Sequence, residues 1–176
     1  MTYLKKKGFK IPLTKFIDLK KVNINNLTKF IQNNNLDKFI IKPELGAFKT
    51  GFKMLNNPNS VKGYLEKLKK QEYNRLLVQP FIGEFNKYGE IKTYWINGEN
   101  VFSYKQQWKD GEGIFDKQEN IEPELLKECI ETGKKLLKIL FKDYEKLVQC
   151  RIDFACCLDN DKRCREFFIN EIEICP

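Results

Sequence analysis

The chain has 176 residues, of which 41% are hydrophobic and 13% aromatic, so one domain, or one domain in two lobes, can bury a core. Its net charge of +8 comes from 32 Lys and Arg against 24 Asp and Glu, and it suits an acidic ligand such as a nucleotide, a phosphorylated substrate or nucleic acid. The sequence contains no histidine, which excludes Ser-His and Cys-His catalysis and histidine metal ligands.

The first half of the chain predicts helices and strands in a βααβ-like order. Apolar periodicity predicts a helix over residues 24–32, followed by a buried strand over residues 39–43 that stops at Pro43, because proline cannot donate a hydrogen bond to a neighbouring strand. Residues 44–52 form a loop with two glycines that returns as a second strand. Ser60 is expected to cap a helix that ends near Lys70, and residues 76–82 form another buried strand.

The second half is predicted to be rich in strands. Asn97-Gly98 is a strong hairpin signal, and it lies between apolar segments at residues 91–96 and 101–108. Pro123 begins a long amphipathic helix that reaches about Lys142. Residues 147–158 then begin a second hairpin.

The carboxylates of this last hairpin predict a metal site. Side chains alternate along a strand, so Glu171 and Glu173 point to one face, and antiparallel pairing around a loop at residues 159–165 sets Asp153 almost opposite Glu171. Three like charges this close repel unless a cation lies between them. Carboxylate oxygens suit magnesium, which fills its remaining positions with water and phosphates. The alternative is an edge hairpin with a solvated acidic face.

These pieces, in this order, resemble the ATP-grasp superfamily, in particular its carboxylate-amine ligases such as the D-alanine ligases and the RimK-like glutamate ligases. The segments that carry the resemblance are residues 41–43, 49–52, 78–82, 89–92 and 105–112, together with the Arg-x-Asp and Asn-Glu-x-Glu ending. The resemblance implies an α+β chain with the ATP-grasp fold, in which two lobes, each with a mostly antiparallel sheet and helices, hold a nucleotide between them. Residues 1–80 would be the small lobe with the glycine loop, and residues 81–176 the large lobe with the metal-binding hairpin.

The resemblance also implies roles for individual residues toward ATP and Mg²⁺, with Mn²⁺ as an alternative ion. The nucleotide-binding residues would be Lys42 for the adenine and α-phosphate, Gly46, Lys49, Thr50 and Gly51 in a lid over the phosphates, Gln79, Phe81 and Ile82 along the adenine, and Glu84 or Glu90 at the ribose. The metal ligands would be Asp153, Glu171 and Glu173, and the metal ions that they hold would bridge the β- and γ-phosphates. Lys92 and Lys105 are the candidates for holding negative charge that develops during catalysis.

The implied reaction is the attack of a substrate carboxylate on the γ-phosphate, which gives an acylphosphate that an amine captures. The partners are therefore a nucleotide and an unidentified carboxylate substrate. Many relatives carry arginine at the position of Lys92, and RimK-like members carry it at Gln106, so the bidentate grip on a carboxylate or phosphate is weaker here. Relatives also have an amino-terminal substrate domain and continue past the metal motif, so we expect this chain to lack that domain and to be truncated in its large lobe.

Three other functions compete with the ligase. A nucleotide-binding pseudoenzyme would keep the fold without turnover, and an inositol-phosphate kinase would use the same fold on a different substrate. A basic nucleic-acid-binding protein would need aromatic and basic side chains on one surface, for which the candidates are Tyr94, Trp95, Tyr104 and Trp108 with Lys92, Lys105 and Lys109. Nucleic acid is the less favoured partner because it does not require the three carboxylates, and a homodimer is left open.

The cellular setting is predicted from what the chain does not contain. No apolar stretch approaches the roughly 20 residues that span a bilayer, and the start of the chain, with Lys5, Lys6 and Lys7, has no signal-peptide apolar region. We therefore expect a cytoplasmic protein without a membrane partner. The six cysteines include no Cys-x-x-Cys pair, which favours buried thiols over a zinc site or disulfides.

Overall fold

The structure is a computed structural model that describes residues 2–44, 50–71, 73–83, 88–109, 112–141, 143–146, 149–158 and 164–175. It has two compact units: a smaller unit, Pro12–Phe81, and a larger unit that joins Met1–Ile11 to Ile82–Pro176. None of the described helices is long and apolar enough to cross a membrane.

Helices and strands alternate in the smaller unit, whereas strands dominate the larger one. The helices are α1 (Thr2–Lys6), α2 (Ile24–Asn33), α3 (Val61–Lys70) and α4 (Pro123–Leu140). The strands are β1 (Lys15–Asp18), β2 (Phe39–Pro43), β3 (Lys53–Leu55), β4 (Arg75–Pro80), β5 (Glu90–Ile96), β6 (Glu99–Lys109), β7 (Glu112–Lys117), β8 (Gln149–Leu158) and β9 (Cys164–Cys175).

The smaller unit is a four-stranded antiparallel sheet, in the order β1-β4-β2-β3, with α2 and α3 packed on one face. Phe39 and Ile41 of β2 join this core, together with Leu27 of α2 and Leu65 of α3. Because side chains alternate along a strand, Lys42 points away from the core. The segment after the glycine-containing loop returns as β3 and pairs with β2, as predicted.

Ser60 lies at the N-cap position of α3, as predicted, but its side chain makes no capping hydrogen bond to the helix. It is the last residue of a 3₁₀ turn over Pro58–Ser60, and its φ of −77° and ψ of −10° are already helical. Its hydroxyl donates a hydrogen bond back to the Asn57 carbonyl at 2.7 Å, so the hydroxyl is directed away from the first N–H groups of α3. Asn57 begins the turn instead, and its side chain accepts a hydrogen bond from the Asn59 N–H at 2.8 Å.

The larger unit is a five-stranded antiparallel sheet in the order β7-β6-β5-β8-β9. The α4 helix covers one face, where Leu136 and Leu137 join a core with Ile91, Trp95 and Ile152 of the sheet. The predicted turn between β5 and β6 is confirmed: Asn97 and Gly98 have φ values of 49° and 79°, the left-handed conformation that a tight two-residue hairpin requires. The core lies on the α4 side, so the side chains of the opposite face lie outside this core.

Candidate functional site

Charged side chains of three adjacent strands share the face of the larger sheet that lies opposite α4. Asp153 on β8 pairs with Lys92 on β5 and with Glu171 on β9, and Arg151 pairs with Glu173. The alternating residues Ile91, Ile152 and Ile172 face the core. These registers confirm the predicted pairing of Asp153 with Glu171 and the shared face of Glu171 and Glu173.

Asp153 is the buried centre of this charged cluster. It is completely buried, and its carboxylate accepts hydrogen bonds from Lys92 Nζ at 2.5 Å and from Arg151 Nε at 2.7 Å and Nη2 at 3.0 Å. A buried carboxylate is costly unless it is paired and hydrogen-bonded. Two cations compensate this one, so the carboxylate of Asp153 is both paired and hydrogen-bonded.

Arg151 is a site residue to which the sequence prediction gave no role. Its Nη1 lies 2.5 Å from Glu173 Oε2, so one guanidinium connects Asp153 to Glu173. Burial alone would lower the pKa of Arg151, but the hydrogen bond and charge of Asp153, together with Glu173, raise it. The Arg-x-Asp pattern indicates that Arg151 lies beside Asp153, because residues two apart on a strand share a face.

Glu90 and Asn170 extend the cluster along β5 and β9. Lys92 Nζ lies 3.2 Å from Glu90 Oε2, and Asn170 Nδ2 donates a hydrogen bond to Glu90 Oε1 at 2.7 Å. Asn170 reaches this position through a β-bulge, since Asp153 pairs with Glu171 but Phe154 pairs with Ile169.

The two buried groups of this extension have shifted pKa values. Burial raises the pKa of Glu90, and the charge of Asp153 adds to this effect against the opposing charge of Lys92. Burial alone would lower the pKa of Lys92, but the charges of Glu90 and Asp153 outweigh it and raise the pKa. Lys92 is therefore held in its charged form.

The three predicted metal ligands share a face without forming a ready cage. Among the residues that the structure describes, no three Asp, Glu or Cys side chains converge closely enough to hold a metal ion. Arg151 and Lys92 engage Asp153, Arg151 also engages Glu173, and Glu171 is exposed. The donor set still fits Mg²⁺, because it offers hard carboxylate oxygens and two of its three side chains are exposed enough to change rotamer. The three-carboxylate metal site stays a prediction.

The candidate residues of the smaller unit that precede α3 lie at the end of β2 and after the loop that follows it. Lys42 is partly exposed on the face of the sheet opposite the core. Gly51 has φ +71°, and a Cβ there would lie 2.8 Å from Pro43 Cγ, so only glycine fits. The Tyr64 hydroxyl donates a hydrogen bond to the Gly51 carbonyl at 2.7 Å, which fixes the end of the loop. Thr50 is exposed, and Gly46 and Lys49 lie outside the described residues.

The segment predicted to contact adenine makes several hydrogen bonds within the chain. Gln79 is almost fully buried, and its Nε2 donates a hydrogen bond to Thr14 Oγ1 at 2.9 Å. The Phe81 N–H donates to the Lys38 carbonyl at 2.9 Å, so this amide already has a partner. Ile82 is half-buried. Glu84 lies outside the described residues, and the ribose role of Glu84 or Glu90 stays a prediction.

Two sequence assignments do not fit the sheet register. Lys105 pairs with Ile91, a core residue, so Lys105 lies on the opposite face from Lys92 and is not part of the charged cluster. Trp95 is completely buried, and its Nε1 donates a hydrogen bond to Thr93 Oγ1 at 2.8 Å. The aromatic and basic residues considered for nucleic acid therefore do not share one surface.

Known proteins share this architecture although their sequences have diverged. No family model matches the chain, and no curated protein matches it by sequence. Solved structures do match. A D-alanine–D-alanine ligase from Bacillus anthracis has a TM-score of 0.70 and 15% sequence identity, and the match covers 99% of this chain and 55% of the ligase. The corresponding values are a TM-score of 0.69, 22% identity and coverage of 99% and 52% for a D-alanine–D-alanine ligase from Helicobacter pylori, and a TM-score of 0.71, 14% identity and coverage of 98% and 50% for a D-Ala:D-Ser ligase from Enterococcus faecalis. The chain has the ATP-grasp fold.

The match to ATP-grasp structures confirms the fold class that the resemblance predicted, an α+β chain with antiparallel sheets and helices. The chain covers 55%, 52% and 50% of the three ligases, which is little more than half of their length. The comparison therefore supports the ATP-grasp fold over almost the whole chain, while activity and substrate rest on the chain's own residues.

Proposed function

We propose that the chain is the nucleotide-binding part of an ATP-dependent ligase, which activates a substrate carboxylate as an acylphosphate for capture by an amine. The observation that carries this proposal is the charged cluster of Lys92, Arg151 and Asp153, on one face with Glu171 and Glu173, within the ATP-grasp fold. The three similar structures named above are ligases, and the one from Bacillus anthracis has also been solved as a complex with ATP. In the smaller unit, Lys42, Thr50, Gly51 and Gln79 are the proposed nucleotide contacts.

Asp153, Glu171 and Glu173 would hold Mg²⁺, which when bound supplies positive charge to phosphate oxygens. Two cations of the chain, Arg151 and Lys92, can also stabilise the negative charge of the phosphate oxygens. Arg151 is the more exposed of the two, with 22% of its side chain accessible against 10% for Lys92. Its guanidinium can exchange Glu173 for phosphoryl oxygens in a bidentate contact, whereas Lys92 keeps Asp153 in place.

The proposed reaction has two steps, a phosphoryl transfer and an attack by the amine. A carboxylate oxygen of the substrate forms a bond to the γ-phosphorus while the bond to ADP breaks. The amine nitrogen then attacks the acyl carbon, the phosphate leaves and the nitrogen loses a proton to water. Negative charge spreads over the transferring phosphoryl group in the first step, and cations fixed beside it stabilise that state without reorganising.

Thermal unfolding with nucleotide tests the proposed function. ATP with magnesium should raise the melting temperature, because a ligand at 100 times its Kd adds about 2.7 kcal/mol to the free energy of unfolding. Glu171→Gln should reduce the shift at a given ligand concentration, since it removes a metal-binding charge. Glu131→Gln, on an exposed position of α4, is the matched control and should respond like the parent. No shift in the parent at millimolar ATP with magnesium would contradict a working site.

A nucleotide-binding module without turnover is the second candidate. It is favoured by the ion pairs of Asp153 and Glu173 with Lys92 and Arg151, which occupy carboxylates that a catalytic metal needs. An ADP-release assay with the same variants separates the two functions. A ligase should release ADP only with an added carboxylate and amine, and Glu171→Gln should abolish this release. ATP binding without ADP release across a substrate panel would instead support the module.

A further inference from the structure

Four aromatic side chains form a continuous platform on the same face of the larger sheet as the charged cluster. The aromatic platform consists of Tyr94 on β5, Phe102 and Tyr104 on β6, and Phe115 on β7. Ring centroids are 6.1 Å apart for Tyr94 and Phe102, 6.0 Å for Tyr94 and Tyr104, 5.8 Å for Phe102 and Tyr104, and 5.7 Å for Tyr104 and Phe115. Each ring is within the range of aromatic contact with the next.

Two rings of the platform, Phe102 and Phe115, are largely exposed, and their exposure does not contribute to the stability of the sheet. Phe102 is 51% exposed and Phe115 is 61% exposed, although the core of this unit lies on the other face of the sheet. Cross-strand aromatic pairs do stabilise a sheet. A contiguous exposed apolar patch is nevertheless uncommon in a soluble protein and marks a binding surface.

The platform is continuous with the charged cluster. The guanidinium carbon of Arg151 lies 6.0 Å from the centre of the Tyr94 ring. Burial and a hydrogen bond with Tyr94 raise the pKa of Tyr104, and the charges of Arg151 and Asp153 act on the same hydroxyl. A ligand that reacts at the cluster therefore has Tyr94 beside it, and the rest of the ligand can extend over Tyr104 toward β7.

We propose that the aromatic platform binds the flat, apolar body of the carboxylate substrate while its carboxylate lies at the charged cluster. This rests on the proposed function, which requires a carboxylate at the cluster. The chemical class is an aryl-alkanoic acid or an acylated aromatic amino acid, in which one or two carbons separate the ring from the carboxylate. Arg151 lies 6.0 Å from the centre of the Tyr94 ring, so a ring bound beside Tyr94 needs only a short spacer to bring its carboxylate to Arg151.

Charge favours this ligand over single-stranded nucleic acid. Nucleic acid that stacks on aromatic rings also needs a positively charged groove along its backbone. Two cations on the same face as the platform, Lys92 and Arg151, are paired with Asp153, Glu90 and Glu173. A ligand with a single carboxylate needs only one of them to exchange its partner, whereas a phosphate backbone would need several.

Binding of two model acids tests the proposal. N-acetyl-phenylalanine and N-acetyl-alanine would be titrated by calorimetry, with and without ATP and magnesium, into the parent, the double variant Phe102→Ser with Phe115→Ser, and Ile114→Ser. Ile114 is the matched control, because it is 41% exposed on β7 next to Phe115 but pairs with Gln107 and so faces the other side. The parent and Ile114→Ser should prefer the aromatic acid about tenfold, and the double variant should lose this preference.

The outcomes separate the platform from the proposed function. Stabilisation by ATP with magnesium should be the same in all three proteins, and its absence from the parent would contradict the ligase, not the platform. Equal affinity of the parent for both acids, or equal loss of preference in Ile114→Ser, would overturn the platform. It would also be overturned if the double variant lost binding to single-stranded poly(U) or lost self-association in light scattering while its acid preference stayed unchanged.

Discussion

At the scale of single residues, Asp153 is the buried charge around which the candidate site is arranged. It is fully buried, and its charge is compensated by Lys92 from one neighbouring strand and by Arg151 from its own. Removing one of these cations leaves the buried charge only partly compensated and still shielded from solvent. The stability of the cluster therefore depends on both cations.

Lys92→Met should destabilise the protein by about 3–5 kcal/mol at pH 7, because Asp153 and Glu90 lose the ammonium they share. The pKa of Lys92 is raised on folding. The contribution of Lys92 to the free energy of unfolding is thus fully present below its pKa in the unfolded chain, about 10.4, and is lost as pH rises through its pKa in the folded protein. Urea unfolding of parent and variant should show a difference that is constant near neutrality and shrinks above about pH 10.4.

Lys127→Met is the control for this substitution, since Lys127 is exposed on α4. Its effect should stay within about 0.5 kcal/mol at every pH. If Lys92→Met changed stability no more than Lys127→Met, the cation would not be compensating a buried charge. The assignment of Lys92 to the cluster would then be wrong.

Alternation along one strand could be predicted from the sequence, but the register between strands could not. The shared face of Glu171 and Glu173 follows from their spacing, and a short loop is enough to place Asp153 opposite Glu171. The partners of Asp153 were harder to find, because Lys92 comes from β5, far away in sequence. Pairing over that distance depends on tertiary packing and leaves no local pattern.

At the scale of secondary structure, a single β-bulge explains why Lys105 lies on the opposite face from Lys92. Counting back from the Asn97-Gly98 turn without a bulge would pair Lys105 with Glu90, on the face of Lys92. Tyr94 instead pairs with Phe102 and Trp95 with Asn100, so Val101 is an extra residue and the register shifts by one. The shift turns Lys105 to the other face.

The side chain of Asn100 stabilises this bulge, and the aromatic platform depends on it. Asn100 Nδ2 donates hydrogen bonds to the Tyr94 carbonyl at 3.0 Å and to the Phe102 carbonyl at 3.2 Å. The same one-residue shift that removes Lys105 from the charged face brings Phe102 and Tyr104 onto it. Sequence periodicity predicted the hairpin but not the bulge, because one inserted residue leaves no periodic signal.

Two helix glycines should respond in opposite ways to alanine. A Cβ at Gly133 of α4 would overlap the ring of Trp95, which is buried and held by its hydrogen bond to Thr93. Gly133→Ala should therefore destabilise the protein by about 1–3 kcal/mol despite the better helix propensity of alanine. A Cβ at Gly63 of α3 meets nothing within 4 Å, so Gly63→Ala should stabilise by about 0.5–1 kcal/mol.

Denaturant midpoints of the two variants measure these effects, with the slope of each transition checked for change. The pair is its own control, because both substitutions add the same methyl group to a helix interior. Stabilisation by Gly133→Ala would show that α4 can move away from Trp95. The close packing of α4 on β5 would then not be a constraint on this unit.

At the scale of the whole molecule, the first residues of the chain belong to the unit that contains its end. The predicted small lobe covered residues 1–80, whereas the structure groups Met1–Ile11 with Ile82–Pro176. Leu4 is buried in the core of the larger unit, and the Ile169 N–H donates a hydrogen bond to the Lys10 carbonyl at 2.9 Å. Such contacts join distant parts of the sequence, so local patterns could not predict them.

Because the two units have separate cores, we expect a core substitution in one unit to destabilise that unit and leave the other unchanged. Leu4→Ala should remove apolar contacts from the larger unit and speed amide hydrogen exchange in α4, β8 and β9, with little change in β1 to β4. Leu65→Ala, in the core of the smaller unit, should give the reverse pattern. Exchange followed by mass spectrometry on peptides of each unit resolves the two cases. If both variants accelerated exchange uniformly over the chain, the units would unfold as one cooperative body, and the division at Phe81 would describe geometry without independent stability.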